Sequence, residues 1–180
     1  MITTQASGRI ENDATEQFYA EIRHTSAFSA PVFHGLHTSL CADSRTALSR
    51  DWDYCLPISG IQGAGRCAHS DRKDLLTLQP RTRFCYASVL HLLLVEVYEV
   101  LQRLHASPAL LYGTLLGAVR SQSIIPFTED IDLGYQPQGL VLADVHEALR
   151  VRGYHMFHSS IWRVCVAPTH PPYTMHQKHD

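Results

Sequence analysis

LYGTLLGAVRSQSIIPFTEDIDLGY, residues 111–135, is the stretch on which the fold assignment depends. Its apolar start predicts a short strand, and the small residues Gly113 and Thr114 lead into an apolar run that predicts one or two turns of helix. Near its end, Asp130 and Asp132 alternate with branched apolar residues. Side chains along a strand alternate between two faces, so this pattern predicts a strand with both acids on one face and the apolar residues in a core.

The two neighbouring acids also predict a metal site. Like charges resist full ionisation unless a positive charge lies between them. Mg²⁺ and Mn²⁺ prefer oxygen ligands, and Mg²⁺ is typically bound by one or two carboxylates together with substrate phosphates and water. Gly113 lets the backbone approach a phosphate, and the first amides of the following helix donate to it. The order of these features favours metal-assisted phosphoryl or nucleotidyl transfer.

These residues resemble the paired signature of the LicD/fukutin family, a branch of the nucleotidyltransferase-fold superfamily. Residues 113–120, GTLLGAVR, match its first motif. Its second motif, of the IPWDDDID type, is matched by Ile125, Pro126, Asp130, Ile131 and Asp132. Phe127 stands where the family often has Trp, and Thr128 and Glu129 replace two acids of its acidic run. The correlated pair of motifs is far more specific than an isolated pair of alternating acids.

The resemblance implies an α+β fold with a nucleotidyltransferase-like core, in which a small mixed sheet is flanked by helices. It implies transfer of a phosphorylated alcohol, such as phosphocholine or ribitol phosphate, from a CDP-linked donor to a hydroxyl of a glycan or glycoprotein. Asp130 and Asp132 would be catalytic and would bind one or two Mg²⁺ or Mn²⁺ ions, and Gly113 and Thr114 would hold the phosphates. Arg120 matches phosphate geometry, although a cation near a helix C-terminus is also favourable in itself.

Three other interpretations stay open. The acids could be solvated residues at an ordinary strand edge. The chain could be a non-catalytic or fragmentary member, because the family normally supplies a third carboxylate from a later strand, whereas residues 161–166 carry no acid and Asp180 is the last residue. A different nucleotidyltransferase activity would leave the nucleotide on a small alcohol and release pyrophosphate.

The rest of the chain predicts supporting elements. Apolar residues recur at helical spacing in residues 82–105, with Glu96 and Glu99 on the polar side of the predicted helix. Residues 140–151 predict a second helix that stops at Gly153. Residues 154–158 and 161–166 predict a hairpin, with Cys165 as a small buried hydrophobic residue. We expect a LicD/nucleotidyltransferase-like domain over residues 81–180, incomplete at its C-terminal end.

Residues 1–80 predict an irregular, loop-rich segment with a short helix near residues 16–22. The five cysteines are widely spaced and are compatible with either disulfides or thiols. His34, His37 and Cys41 could begin a zinc site, but their spacing to the later cysteines matches no compact zinc pattern. The histidines of the tail fit a solvated chain end better than a metal site.

Composition limits the partners. The chain has 15 basic and 17 acidic residues, a formal net charge of −2, so we expect small molecules or glycans rather than nucleic acid. Neither a signal peptide nor a membrane span is recognisable in the sequence. Relatives in the resembled family work in the secretory pathway in eukaryotes and in the cytoplasm in bacteria, so the sequence leaves the compartment open.

Overall fold

The computed structural model describes residues 55, 56, 58, 60–76 and 84–167. Its first element is a short 3-10 helix, Arg72–Leu76. The other helices are α1 (Tyr86–Arg103), α2 (Tyr112–Ser121) and α3 (Leu142–Arg150), and the strands are β1 (Ala109–Leu110), β2 (Leu133–Gly134), β3 (Tyr154–Ser159) and β4 (Ile161–Val166). This combination of helices with small antiparallel sheets is of the α+β class.

Helix α1 is the centre of the core. The apolar stripe predicted over residues 82–105 is confirmed, because Leu90, Leu93 and Leu101 are buried and the remaining stripe residues pack against them. Ala87, Val89 and Leu92 are also fully buried, although they lie outside that stripe. Helix α1 is therefore enclosed on more than one side, as expected of a helix to which other elements attach.

The predicted exposure of Glu96 and Glu99 is wrong. Glu96 is 0% exposed and lies 3.3 Å from the Arg152 guanidinium, measured between Oε2 and Nη1. Glu99 is also buried and lies 3.4 Å from Arg103, one turn further along α1. A buried carboxylate needs a charged or hydrogen-bonding partner, and Arg152 provides one from the turn after α3, which ties that turn to α1.

The strands of the described residues do not form the predicted mixed sheet. They form two separate antiparallel pairs, β1 with β2 and β3 with β4. The strand predicted around the acids is also shorter than expected, because regular pairing is limited to Leu133–Gly134 opposite Ala109–Leu110. The residues that carry the acids precede this strand and have no regular structure. An alternating pattern of four residues is too short to distinguish a strand from an extended loop.

The second predicted helix and the hairpin are confirmed. Helix α3 buries Val145 and Leu149, and the chain then turns at Gly153, whose φ of +86° is easily adopted by glycine. The hairpin pairs Tyr154 with Val166 at its open end and Ser159 with Ile161 at its turn. Its buried residues face α1 and α3, so the hairpin closes the core on the C-terminal side.

Two disulfides attach the earlier chain to this core. Cys55 is bonded to Cys165 in β4, and Cys67 is bonded to Cys85 at the start of α1. The predicted burial of Cys165 is confirmed. Its bonding state, which the sequence left open, is a disulfide to a partner 110 positions away that no local pattern indicates. The N–H of Leu56 also donates to the carbonyl of Val166, at 2.9 Å.

Leu56 and Leu75 belong to the same buried cluster as α1, so the described part of the N-terminal segment packs on the core. The division into residues 1–80 and 81–180 stays a prediction. The predicted helix near residues 16–22, the possible zinc ligands His34, His37 and Cys41, and the histidines of the tail lie outside the described residues. In the described ranges, none of the helices combines the length and apolar character needed to cross a bilayer.

Candidate metal and phosphate site

The two predicted metal ligands, Asp130 and Asp132 (the acid pair), lie in the acid segment, residues 126–132, between α2 and β2. Local hydrogen bonds shape this segment. The Thr128 N–H donates to the carbonyl of Ile125 at 3.1 Å, and the Thr128 hydroxyl donates to the carbonyl of Asp130 at 3.1 Å. Asp130 is exposed and Asp132 is half-buried. The segment therefore presents one carboxylate to solvent and a second at the edge of the core.

Asp132 is fixed to the start of α2 through both of its backbone groups. Its carbonyl accepts a hydrogen bond from the Leu111 N–H at 3.1 Å. Its N–H donates to Oγ1 of Thr114 at 2.8 Å, and Thr114 is only 7% exposed. The first motif of the sequence thus holds the second motif in place. The role that this contact shows for Thr114 is to position Asp132.

The electrostatics of the segment show that the acids are close enough to interact. The pKa of Asp132 is raised, first by loss of hydration and then by repulsion from Asp130. The pKa of Tyr86 is raised by burial and then by Glu129 and Asp130. The negative charge of Asp130 therefore contributes to the raised pKa of both Asp132 and Tyr86. A divalent cation placed there would favour the ionised form of both members of the acid pair.

Tyr86, from the first turn of α1, is a site residue that the sequence analysis missed. Its hydroxyl donates to the carbonyl of Glu129 at 3.1 Å, which connects the acid segment to the central helix. The contact spans 43 positions in the chain, and no motif in the sequence indicates it. Hydrogen bonds therefore attach the acid segment to α2 through Asp132 and to α1 through Glu129.

The acid pair borders a cavity of about 450 Å³. Apolar residues of α1, α3 and the hairpin line it, and these include Leu93, Val97, Val145 and Met156. Residues 129–132 of the acid segment, Tyr86, and Trp162 and Arg163 of β4 also line the cavity. A mostly apolar lining with a few polar groups is typical of a ligand site.

The other predicted site residues lie along α2. Gly113 is exposed, and an added Cβ would meet no atom within 4 Å, so the space over the first turn is open. Arg120 is exposed near the other end, where its Nε donates to the Ser121 hydroxyl at 3.3 Å. Arg120 lies seven positions after Gly113 in the helix, about 10 Å along the axis. The phosphate-binding roles of Gly113, Thr114 and Arg120 stay predictions.

Gly117 of the first motif has a packing role. An added Cβ would lie 2.6 Å from the carbonyl oxygen of Ser123 and 3.3 Å from Cγ1 of Ile125. Glycine is therefore needed for the chain to fold back across α2 after its last turn, where Gln122 adopts a left-handed conformation. This close approach returns the chain toward the start of α2 and so brings the acid segment to Thr114.

A divalent ion held by the acid pair would take its remaining ligands from substrate and water. The described residues contain no cluster of three or more His, Cys, Asp or Glu side chains arranged to hold a metal. Two carboxylates are nevertheless a common protein contribution to a Mg²⁺ site that is completed by phosphate oxygens. The pKa of Asp132 is raised by loss of hydration and then by Asp130, so the two carboxylates lie close enough to interact.

Comparison with known proteins supports a family assignment for this part of the chain. Residues 107–167 match the sequence model of the nucleotidyltransferase domain of LicD/FKTN/FKRP. An uncharacterized protein of Rickettsia typhi is 32% identical over 77 residues, 42% of this chain and 25% of that protein. An uncharacterized protein of Rickettsia prowazekii is 31% identical over 77 residues, 42% of this chain and 29% of that protein.

The chain therefore spans between a quarter and a third of the length of these curated relatives. No solved structure matches it. The family resemblance predicted from the two motifs is confirmed, and the matched residues are a partial domain that contains α2, the acid segment, α3 and the hairpin.

Proposed function

We propose, from the match of residues 107–167 to the LicD/FKTN/FKRP nucleotidyltransferase domain, that this chain transfers a phosphorylated alcohol from a CDP-activated donor to a glycan hydroxyl. The alcohol would be of the phosphocholine or ribitol phosphate type. The observation that carries the proposal is the double backbone attachment of Asp132 to the start of α2. It joins the backbone of the acid segment to the start of α2. A carboxylate pair and a helix N-terminus are the two groups that a metal-bound diphosphate needs.

In this proposal, different residues bind the metal and the phosphates. Asp130 and Asp132 would hold Mg²⁺ or Mn²⁺, and Thr114 keeps Asp132 oriented through its amide. Such an ion would neutralise the charge that develops on the transferring phosphoryl group and its leaving group. The first amides of α2 have no intrahelical acceptors, and Leu111 before them has no capping side chain, so these amides would donate to phosphate oxygens.

Gly113 leaves the approach to those amides open, because no atom lies within 4 Å of the position that a Cβ would occupy. Arg120 would contact a phosphate that extends along the exposed side of α2. The apolar residues that line the cavity would exclude water from the donor and so strengthen its electrostatic contacts.

The disulfides support an oxidising compartment as part of this proposal. Cys55–Cys165 and Cys67–Cys85 join distant parts of the chain, and such bridges persist in secretory compartments and are rare in the cytosol. The acceptor would accordingly be a glycan or glycoprotein in the secretory pathway. Nucleic acid is not part of the proposal, because the chain carries slightly more acidic than basic residues.

A second candidate function is nucleotide or glycan binding without turnover. The specific observation in its favour is that, among the described residues, no three His, Cys, Asp or Glu side chains are arranged to hold an ion together. The family match is also limited to a part of the domain. A chain of this kind would still bind a cytidine nucleotide in the presence of the metal, and it would consume no donor.

The test is release of CMP from CDP-ribitol and CDP-choline in the presence of Mn²⁺ and a glycan acceptor. We expect the wild-type chain to release CMP, and we expect Asp130→Asn and Asp132→Asn to lower the rate by about 100-fold or more, because each removes one metal ligand. Asp144→Asn is the matched control, since Asp144 lies exposed in the first turn of α3.

Unchanged CMP release by both acid-pair variants would contradict the catalytic assignment. If the wild-type chain binds CDP only with Mn²⁺ but releases no CMP with any acceptor, the non-catalytic candidate replaces the transferase.

A further inference from the structure

Helix α2 carries a row of large apolar side chains that the described part of the chain leaves largely exposed. Tyr112 and Val119 are 78% and 76% exposed, and Leu115 and Leu116 are 46% and 50% exposed. Their spacing of three, one and three positions places all four on one face of the helix, which we call the α2 face. A contiguous exposed apolar face of this kind marks an interaction surface.

The two sides of α2 differ in what they contact. Thr114 and Gly117 are buried on the side opposite the α2 face, where they meet the acid segment and the chain that folds back after the helix. The α2 face itself carries no charge, and Arg120 at its flank is the one charged residue of the helix. An apolar centre with a charge at its edge is the composition of a protein interface, whose core is depleted in charged residues.

We propose that the α2 face binds the α2 face of a second copy of this chain, with the two helices antiparallel around a two-fold axis. A two-fold dimer uses the same patch on both copies, so the patch must be complementary to itself. The spacing of the four apolar residues reads the same in both chain directions. Reversal of one helix therefore places Tyr112 opposite Val119 of the partner subunit and brings Leu116 of both copies close to the axis.

The distribution of charge favours the antiparallel arrangement over a parallel one. The acid segment is attached to the start of α2 through Leu111 and Thr114, whereas Arg120 lies in the last turn. In a parallel pair, the two arginines would lie side by side and so would the two acid segments, and like charges would repel. In the antiparallel pair, the partner's Arg120 lies beside the first turn of α2, near Gly113, at the end to which the acid segment is attached. The opposite partial charges of the two helix ends also meet there.

The first experiment measures the mass of the wild-type chain and of three variants by sedimentation equilibrium at micromolar concentration. Leu116→Glu and Val119→Glu place carboxylates in the proposed interface. Val141→Glu is the matched control, because Val141 is also an exposed valine but directly precedes α3. Circular dichroism and the unfolding midpoint verify that each variant is folded.

We expect the wild-type chain to be a dimer, and we expect Leu116→Glu and Val119→Glu to weaken dimerisation by at least about 100-fold, because like charges buried at an interface oppose association. Val141→Glu should equal the wild type. A monomeric wild-type chain overturns the inference, and so does an unchanged dimer in both α2 variants. Binding of a monomeric wild-type chain to phosphatidylcholine vesicles would assign the α2 face to a membrane surface instead.

A cross-linking experiment tests the antiparallel arrangement. Chains with Tyr112→Cys and chains with Val119→Cys, both with Cys41→Ser, are co-expressed and treated with a short thiol-specific cross-linker. Cys41 is replaced because it is the cysteine outside the two disulfides. We expect cross-links between the two kinds of chain and none within either kind, because two copies of either position would lie about 10 Å apart along the axis. Cross-links within each kind would show a parallel pair and overturn the inference.

Neither experiment uses the donor, so the interface is tested separately from the proposed function. A wild-type dimer that releases no CMP contradicts the proposed function and leaves the interface intact. A wild-type monomer that releases CMP overturns the interface and leaves the proposed function intact.

Discussion

The hairpin and the acid segment border the same cavity, but different kinds of contact hold them. The hairpin pairs six residues in each strand, buries Tyr154 and Val166 against the core and is bonded to Cys55 through Cys165. The acid segment has no regular structure and lies between α2 and a two-residue strand, and most of its residues are at least partly exposed. The few hydrogen bonds of Asp132, Thr128 and Glu129 define its position.

This difference separates stability from site geometry. Long-range apolar contacts and covalent bonds stabilise the hairpin and α1, so changes there should lower the free energy of unfolding. The acid segment contributes little apolar burial, so changes there should alter ion and ligand binding more than unfolding. Variants in the two regions can therefore test whether effects on unfolding and effects on binding are separate.

The largest expected effect is loss of the bridge between Cys55 and Cys165. The double variant Cys55→Ser with Cys165→Ser should lose about 4 kcal/mol of unfolding free energy, because the bridge closes a loop of 110 positions. The Cys67 and Cys85 pair closes 18 positions, and its double serine variant should lose about 3 kcal/mol. Urea denaturation measures both. A smaller loss for the long loop than for the short one would contradict the importance assigned to the hairpin attachment.

The next effect concerns the buried ion pair between α1 and the turn after α3. Arg152→Leu should destabilise the protein by about 3 kcal/mol, because it removes the guanidinium beside a carboxylate that is 0% exposed. The double variant Glu96→Leu with Arg152→Leu should be less destabilised than Arg152→Leu alone, since it removes the Glu96 carboxylate together with the guanidinium. Thermal unfolding of the single and double variants checks this order, and equal or greater damage in the double variant would argue against it.

Variants of Thr114 test how the acid segment is positioned. Thr114→Val removes the acceptor of the Asp132 N–H and should cost about 1 kcal/mol of stability. It should weaken Mn²⁺ binding more visibly, by about ten-fold, as expected when a group that orients a metal ligand is lost. Thr114→Ser keeps the hydroxyl and is the control. Wild-type Mn²⁺ affinity in Thr114→Val would show that this hydrogen bond does not position Asp132.

The smallest expected effect is a pH dependence at His91, on the side of α1 that faces the 3-10 helix. Burial lowers the pKa of His91, Asp71 and Asp74 oppose that shift, and Arg72 adds to it. Nδ1 of His91 accepts a hydrogen bond from the Arg72 N–H at 3.2 Å, and protonation of Nδ1 would remove it.

Because the unfolded chain takes up the His91 proton at a higher pH than the folded protein, stability should fall as pH drops below the ordinary histidine range. His91→Asn should show a smaller loss between pH 7 and pH 5 in urea denaturation. An identical pH profile in the variant and the wild type would remove His91 as the cause.

The sequence predicted the periodic elements well and the irregular ones poorly. Apolar spacing identified α1, α3 and the hairpin, because each carries a pattern of apolar residues that is visible in the local sequence. It did not predict the burial of Glu96, since the Arg152 that accompanies it is 56 positions away. Local sequence patterns also could not indicate the disulfide partner of Cys165, because it is 110 positions away.

At the candidate site, the motifs identified the acid pair and Thr114 but not the way they are joined. The prediction used strand alternation for the acids, whereas the structure places them in an irregular segment attached to α2 by the Thr114 hydroxyl. Tyr86 and Arg163 belong to elements outside the two motifs, so only the folded structure brings them to the cavity. The missing information is in long-range contacts, which a single sequence does not display.

Titration of Mn²⁺ into the wild-type chain, Asp130→Asn, Asp132→Asn and the control Asp144→Asn, followed by the electron paramagnetic resonance signal of free Mn²⁺, tests the central claim most directly. If the acid pair shares one ion, the wild type and the control should bind Mn²⁺ with equal affinity, and each acid-pair variant should lose at least about ten-fold. Equal Mn²⁺ affinity in all four proteins would contradict the account.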